Sequence, residues 1–129
     1  MRKPLALLAL LALACSDPVA PTAKSVTATT DRTIYARPDT VIVTIVNDSD
    51  SSLSFPPCGT PIQRRGGDTW EEVTFPNDLE PCLAYEPLMP ARTTWRPRYE
   101  LPAYLSPGEY RFAASAAPVF LVSNTFTIE

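Results

Sequence analysis

Short runs in which apolar and polar residues alternate dominate the chain from about residue 25 onward, and they predict β-strands. Residues 40–47 (TVIVTIVN) give the clearest case, because β-branched residues fill the run and Val41, Val43 and Ile45 share one face. We expect that face to lie in a core. The remaining predicted strands are 26–30, 53–55, 62–65, 70–73, 93–101, 110–115 and 123–128. Together these segments indicate a sheet protein of about seven strands.

Turn-forming residues separate these strands. Residues 66–68 (GGD) predict a hairpin, and residues 106–109 (SPGE) fit a type II turn with glycine supplying positive φ. Four prolines lie in residues 76–91, which we predict to be an irregular excursion. Pro97 lies within strand 93–101 and cannot donate a backbone hydrogen bond. It therefore predicts an edge strand.

The first fourteen residues have the pattern of an export signal and lie outside the fold. Arg2 and Lys3 precede a run of only Leu and Ala from Leu5 to Leu13. At about 1.5 Å per residue, this run is far too short to cross a hydrocarbon core of about 30 Å as a helix. We therefore predict a cleaved signal peptide over residues 1–14.

The signal ends in residues 12–15 (ALAC), which resemble the bacterial lipobox. The resemblance implies cleavage before Cys15 and lipidation of its thiol, with residues 15–24 as a polar tether. In bacterial lipoproteins, a residue other than Asp directly after the lipidated cysteine favours sorting to the outer membrane. Residue 16 is Ser, so the resemblance implies an outer-membrane location. The expected localisation is thus exported and lipid-anchored to the cell envelope. An ordinary secretory signal with a chance cysteine is the alternative.

The composition of the chain argues against several classes of function. Without residues 1–14 the chain has 115 residues, enough for one domain over residues 25–129, and its net charge changes from −3 to −5. This acidic balance argues against nucleic acid as a partner. The chain has no histidine, which removes Ser-His-Asp and Cys-His catalysis and the usual zinc ligands. We expect no catalytic residues, no cofactor and no metal.

Two cysteines besides Cys15 remain, Cys58 and Cys82. In an oxidising compartment such a pair predicts one disulfide, which would stabilise the fold by roughly 3–4 kcal/mol in the chain-entropy model. A metal-binding or redox pair is the alternative, but no third or fourth ligand stands nearby in the sequence.

Residues 105–112 (LSPGEYRF) carry a further resemblance. They are similar to the turn into strand F of immunoglobulin-like domains, where a tyrosine hydroxyl bonds back to the backbone. With the order of the other strands and turns, residues 25–129 resemble the immunoglobulin-like domains of small bacterial lipoproteins. The resemblance implies an all-β, antiparallel sandwich and no enzymatic activity. It gives Pro107, Gly108 and Tyr110 structural roles.

The candidate binding residues are Arg96, Arg98 and Phe120. The two arginines share a strand face and are suited to a carboxylate or an anionic polysaccharide, although a charged edge that prevents aggregation is the simpler explanation. Phe120 belongs to the apolar run Val119–Val122. That run is either buried on both faces or leaves an apolar patch for a partner.

Other groups of polar residues have simpler explanations. Asn47, Asp48 and Asp50 offer oxygen ligands for calcium, but a solvated turn accounts for them. Glu71 and Glu72 are adjacent in a strand and point to opposite faces, so without a bulge they cannot form the carboxylate pair of a hydrolase, which is a third alternative. Arg64 and Arg65 lie near a hairpin tip, from which they are candidates to assist Arg96 and Arg98.

These observations predict an envelope-anchored, non-catalytic binding or structural module. Its expected partner is an envelope protein or a glycan, bound through loops or through strand addition at the edge strand 93–101. The alternative is a proteinase inhibitor of immunoglobulin-like fold, in which the excursion around Cys82 is the presented loop, held by its disulfide. The oligomeric state is left open by the sequence.

Overall fold

A computed structural model describes residues 25–75 and 86–129, and within them the chain forms strands and no helix. The strands are β1 (Val26–Thr30), β2 (Ile34–Tyr35), β3 (Asp39–Asn47), β4 (Leu53–Ser54), β5 (Ile62–Gly66), β6 (Thr69–Glu72), β7 (Leu88–Met89), β8 (Thr93–Trp95), β9 (Arg98–Leu101), β10 (Gly108–Ala116), β11 (Val119–Val122) and β12 (Phe126–Ile128).

The first sheet is built around β3. Its antiparallel neighbours are β1 on one side and β8 and β9 on the other. Along β3 the burial alternates, with Val41, Val43 and Ile45 fully buried, as the sequence pattern predicted. Among the described residues, β8 and β9 have no other neighbouring strand, so the predicted edge position of residues 93–101 is confirmed.

The second sheet has the order β2-β12-β10-β5-β6, and β11 also pairs with β10. All its pairs are antiparallel except β2 with β12, which is parallel. The predicted hairpin at residues 66–68 joins β5 to β6, and Gly67 there adopts a φ of 64°. A small third sheet pairs β4 with β7.

The inward faces of the sheets share one apolar core. Tyr99 of β9 lies against Phe112 of β10, with ring centroids 6.0 Å apart, which joins the first sheet to the second. The largest fully buried side chains are Tyr35, Tyr110, Phe112, Phe126, Ile45, Leu53, Ile62, Met89, Leu101, Ile128, Val41 and Val43. Because they come from all three sheets, the all-β sandwich predicted from the sequence is confirmed.

The described residues contain twelve strands rather than about seven, because one predicted strand is interrupted and three short strands, β2, β7 and β11, were not predicted. Residues 93–101 form two strands, since Pro97 lies opposite Val43 and cannot return its hydrogen bond. Residues 123–128 shorten to β12, and the apolar run before them forms a separate strand, β11. The predicted excursion 76–91 contains strand β7, which pairs with Leu53 and Ser54.

The turn into β10 has the predicted tyrosine contact. The Tyr110 hydroxyl donates to the Ser106 carbonyl oxygen at 2.6 Å, and the Tyr110 ring is buried. Gly108 has positive φ, as expected, but its value of 151° lies well beyond the about 80° of a type II turn. The difference arises because Gly108 already pairs with Ile128 as the first residue of β10.

Some predictions fall outside the described residues: the signal peptide 1–14, Cys15 and the tether 15–24, and Cys82 with residues 76–85 of the excursion. In the described part of the chain there is no helix long and apolar enough to cross a membrane.

Candidate functional site at the sheet edge

Two adjoining hollows lie along the side of the sandwich formed by the β8–β9 edge. Thr60 and Tyr99 line both, so we treat the hollows as one surface, the edge groove. The first, which we call the aromatic hollow, has a volume of about 460 Å³, and the second, the polar hollow, about 720 Å³. Surfaces of this size accommodate short peptide or glycan segments.

Aromatic rings dominate the aromatic hollow. Phe55 and Trp95 pack with ring centroids 5.6 Å apart, although they lie forty residues apart in the chain. Prolines 56, 61, 87 and 97 add rigid apolar surface. Phe120 stands at the rim with 59% of its surface exposed. Rings held in this way offer a preformed apolar surface to a ligand.

The polar hollow carries charges of both signs. Arg98 and Glu100 alternate with Tyr99 and Leu101, and both charged side chains are exposed. Among the described residues neither forms an ion pair. Asp39 also lines this hollow, but it binds the Arg32 guanidinium through both carboxylate oxygens, at 2.8 and 2.9 Å, and Arg32 thereby lowers the pKa of Asp39.

Tyr99 connects the two hollows and keeps its proton. Burial raises the pKa of Tyr99 to about 12, so its hydroxyl stays neutral at physiological pH. A neutral phenol can donate and accept hydrogen bonds but adds no charge. The groove therefore combines apolar rings with neutral and charged hydrogen-bonding groups. Both kinds of group can contact a bound ligand.

The backbone of β9 is open on the groove side. The Val43 amide donates to the Pro97 carbonyl oxygen at 3.0 Å, so Pro97 faces β3. Successive residues of a strand direct their backbone groups to opposite sides, and the amides and carbonyls of Arg96, Arg98 and Glu100 therefore point away from β3. No strand of the described chain pairs with this side.

Of the predicted binding residues, Arg98 and Phe120 both line the edge groove, in its polar and its aromatic hollow respectively. Arg96 is exposed on the same edge. Arg64 and Arg65 do not join them. Arg65 forms an ion pair with Glu109 at 2.8 Å, and Arg64 lies beside the Pro107 carbonyl oxygen at 3.4 Å.

The apolar run at β11 is neither wholly buried nor wholly exposed. Leu121 points into the core, whereas Phe120 and Val122 are exposed. Burial of both faces, one of the two alternatives, is therefore wrong, because the outward face of β11 has no covering element in the described chain. Glu71 and Glu72 are both exposed in β6, where they lie opposite Arg64 and Gln63.

The acidic turn after β3 is built by Asn47. This side chain is fully buried; its oxygen accepts from the Ser49 amide and hydroxyl, and its nitrogen donates to the Ser51 and Pro90 carbonyls. Asp50 pairs with Arg92 at 2.7 Å. Within residues 25–75 and 86–129, no three His, Cys, Asp or Glu side chains group closely enough to hold a metal.

Cys58 lines the aromatic hollow and is disulfide-bonded. Its expected partner Cys82 lies outside the described residues, so the pairing of Cys58 with Cys82 stays a prediction. The inhibitor alternative also stays a prediction, because its presented loop falls in residues 76–85.

Sequence reasoning did not identify Phe55 as part of a site. The sequence places Phe55 at the end of a short strand before two prolines and gives no sign of the distant Trp95. Trp95 and Tyr99 pack against the core. They are only half-buried, because they lie where the sandwich opens at its edge. Trp70 instead stacks under the Arg111 guanidinium, 4.3 Å from the ring centroid.

Comparisons with protein-family models and with curated proteins give no match to this chain.

Proposed function

We propose that this protein is a lipid-anchored lipoprotein of the bacterial envelope whose immunoglobulin-like domain binds a partner through the edge groove and catalyses no reaction. The export signal and the lipobox at Cys15 support the anchoring. The domain would project from the membrane on residues 15–24. The observation that carries the binding role is the edge groove, where partly exposed aromatic rings adjoin a strand edge that has no pairing strand among the described residues.

The order of the strands supports the immunoglobulin-like assignment. In that fold strands A, B and E form one sheet, and strands C, F and G form the other, with C′ added in variable-type domains. Here β1, β3 and β8–β9 match A, B and E, while β5, β6, β10 and β12 match C, C′, F and G. The Tyr110 hydrogen bond to Ser106 resembles the tyrosine corner of that fold and supports the assignment.

The groove favours a protein partner with an extended segment. A strand added beside β9 would satisfy the outward amides and carbonyls of Arg98 and Glu100. Its side chains would then alternate between the outward face, beside Arg96, Arg98 and Glu100, and the apolar rings of the groove. A glycan ligand would use the rings without the backbone, so the two partner classes differ in their dependence on the strand edge.

Site-specific photo-cross-linking in intact envelopes tests this proposal. A photoreactive phenylalanine analogue is placed at Arg98, at Arg96 or at Phe120, and in a matched control at Tyr104, which is 61% exposed and lies outside the groove. We expect one reproducible protein adduct from the three groove positions and none from position 104. Adducts from all four positions with abundant neighbours alone would contradict the proposal.

The same experiment distinguishes a binding module from a proteinase inhibitor. An adduct with a protease, together with inhibition of that protease that reduction of the disulfide abolishes, would assign the protein as an inhibitor instead. Saturable binding of an envelope polysaccharide, lost on Trp95→Ala and affected equally by Arg98→Ala and Arg98→Pro, would assign a glycan ligand, because the proline removes the outward amide of the strand edge in addition to the arginine side chain.

A further inference from the structure

The side of β9 that faces away from β3 carries charges of opposite sign. Arg98 and Glu100 are both exposed, and within the described chain neither forms an ion pair. Their amides and carbonyls also point away from β3, because the Pro97 carbonyl faces β3 and the direction alternates along the strand. One short strand thus combines an open hydrogen-bonding edge with one positive and one negative side chain.

This strand edge is complementary to itself. When two copies of β9 lie antiparallel with Tyr99 opposite the second copy's Tyr99, Arg98 of each copy lies opposite Glu100 of the other. Both members of that pair have outward backbone groups, so they exchange two hydrogen bonds. The pair occurs twice, on either side of a twofold axis that passes between the two Tyr99 residues.

Other antiparallel registers lack this complementarity. The backbone direction repeats every two residues, so the nearest alternatives move one copy by two residues along the other. One of them places Arg98 opposite the second copy's Arg98, and the other places Glu100 opposite the second copy's Glu100. Like charges directly opposite each other are destabilising. The charges of β9 therefore favour a single register.

The inward side of the same contact is apolar. Tyr99 would lie beside the second copy's Tyr99, and Pro97 beside the second copy's Leu101. Tyr99 is only partly buried where the sandwich opens at its edge, and Pro97 lines the aromatic hollow. Opposed aromatic rings are favourable cross-strand pairs. Pairing of two edges would thus cover apolar surface that the edge groove leaves exposed.

We propose that the partner bound at the edge groove is a second copy of this protein, joined to the first by antiparallel pairing of their β9 strands. This inference rests on the proposed function, because it names the occupant of the same groove. A charged edge that prevents aggregation requires charges that repel when two edges meet. In the register that places Arg98 opposite Glu100, the charges of β9 instead attract.

The lipid anchor proposed at Cys15 would strengthen this contact. Exposed ion pairs contribute little individually, so a short ladder with two of them makes a weak contact in dilute solution. Attachment of both copies to one bilayer confines them and raises the concentration at which they meet. We therefore expect association in the membrane rather than between isolated domains.

The tethers allow both copies to be anchored in one membrane. Antiparallel pairing directs the two starts of β1, where Val26 pairs with Asn47, to opposite ends of the pair. With the strands along the membrane plane and the twofold axis perpendicular to it, both starts lie at the same height. Residues 15–24 span at most about 36 Å, which exceeds the about 10 Å between the stacked sheets of a sandwich.

Charge reversal at the two positions tests the proposal. The full lipidated chain is labelled at Asp68→Cys, at the exposed tip of the β5–β6 hairpin, with a donor or an acceptor dye and is reconstituted sparsely in phosphatidylcholine vesicles. Energy transfer between copies measures their association. The variants are Arg98→Glu, Glu100→Arg and the double variant with both changes. Asp48→Arg is the matched control for Glu100→Arg, because Asp48 is an exposed acidic residue outside β9.

We expect energy transfer for the wild type and for Asp48→Arg, and its loss in each single variant, because each single change places like charges opposite each other. A mixture of Arg98→Glu with Glu100→Arg should regain the transfer, since the pairs between the two variants again join opposite charges. The double variant should regain it as well. Equal transfer in all variants, or no transfer in the wild type, would overturn the proposal.

Photo-cross-linking from Arg96 and Phe120, which leaves both charged residues of the pair in place, separates this inference from the proposed function. An adduct between two copies of the chain would support the self-association. An adduct with a different protein, together with no energy transfer, would leave the binding role of the groove in place and make the second copy wrong. Absence of both adduct and transfer would contradict the binding role itself.

Discussion

Two tyrosine hydroxyls hold backbone turns at the ends of strands. Tyr110 donates to the Ser106 carbonyl oxygen, and Tyr35 donates to the Asp31 carboxylate, each at 2.6 Å. Both rings are buried, so each hydroxyl must find a partner inside the protein. These contacts therefore link the local conformation of a turn to the packing of the core.

We expect Tyr110→Phe to lower the free energy of unfolding by about 1–2 kcal/mol, because the Ser106 carbonyl loses its donor while the ring still packs. Urea unfolding followed by tryptophan fluorescence measures the change. Tyr104→Phe, which removes the hydroxyl of an exposed tyrosine, is the control and should leave the midpoint unchanged. Equal midpoints for Tyr110→Phe and wild type would show that the hydrogen bond from Tyr110 to Ser106 does not stabilise the fold.

Asp31 makes stability depend on pH in the acid range. Partial burial raises the pKa of Asp31, but hydrogen bonds from the Tyr35 hydroxyl, the Ile42 amide and Arg32 outweigh it, so the pKa lies below its ordinary value. The stabilisation is fully present above the unfolded-state pKa of about 3.9 and is lost as pH falls through the folded-state pKa.

We therefore expect the free energy of unfolding of wild type to fall more steeply below about pH 4 than that of Asp31→Asn. Urea titrations at several pH values measure the slope. Asp68→Asn, at the exposed tip of the β5–β6 hairpin, is the matched control and should keep the wild-type slope. Identical slopes for Asp31→Asn and wild type would show that Asp31 does not control acid stability.

At the scale of elements, the turn after β3 depends on one buried side chain. Asn47 makes four hydrogen bonds that join residues 49–51 and Pro90 to the end of β3. The acidic residues beside it are exposed or paired with Arg92, so the Asn47 side chain, rather than these carboxylates, holds the turn together.

We expect Asn47→Ala to destabilise the protein by about 2–3 kcal/mol, since two carbonyls and the Ser49 groups lose their partner in a buried site. Asp48→Ala, at the neighbouring exposed position, should change stability by less than about 0.5 kcal/mol. Thermal unfolding compares the variants. Addition of calcium should leave the melting temperature of wild type unchanged, and a rise would instead indicate a calcium site.

Strands with regular alternation could be predicted from the sequence, and interrupted strands could not. Residues 26–30 and 40–47 form β1 and β3 within one residue, because their burial pattern depends only on the two-residue period. Strand 93–101 was predicted as continuous. Its break requires knowing that Pro97 lies opposite Val43, and that register is a property of the folded sheet.

The edge position of that strand was predicted correctly, but for an incomplete reason. The sequence argument was that a proline cannot sit within a ladder, so its strand belongs at the edge. In the structure the missing amide of Pro97 faces β3, and the outward side of the edge is instead formed by Arg96 and Arg98. Among the residues that the structure describes, the edge is consequently open at positions whose amides are able to donate.

At the scale of the whole molecule, stability depends on the packing of the first sheet against the second. Phe112 is fully buried between the sheets and contacts Tyr99 of β9. Removing its ring would leave a cavity in the centre of the sandwich.

We expect Phe112→Ala to cost about 3–5 kcal/mol in the free energy of unfolding. Phe120→Ala removes the same side chain at a position that is 59% exposed and should cost less than about 1 kcal/mol. Denaturant unfolding of both variants measures the difference. Similar costs for the two would contradict the assignment of core and surface.

The site could be predicted from the sequence only in part. Arg98 and Phe120 were recognised as candidates because charged and apolar residues stood out against their strands. The edge groove itself depends on contacts between distant segments, such as Phe55 with Trp95, that bring loops and both sheets together. No periodic pattern encodes such contacts, since they are set by how the sheets stack.

The most direct test of the account is the intact mass of the protein isolated from the membrane fraction of cells that express the full chain. We predict a polypeptide that begins at Cys15 and carries a thioether-linked diacylglycerol with an amide-linked acyl chain. Cys15→Ser should remove the modification and release the protein from the membrane fraction. A chain that retains residues 1–14, or one that begins at another residue without lipid, would contradict the account.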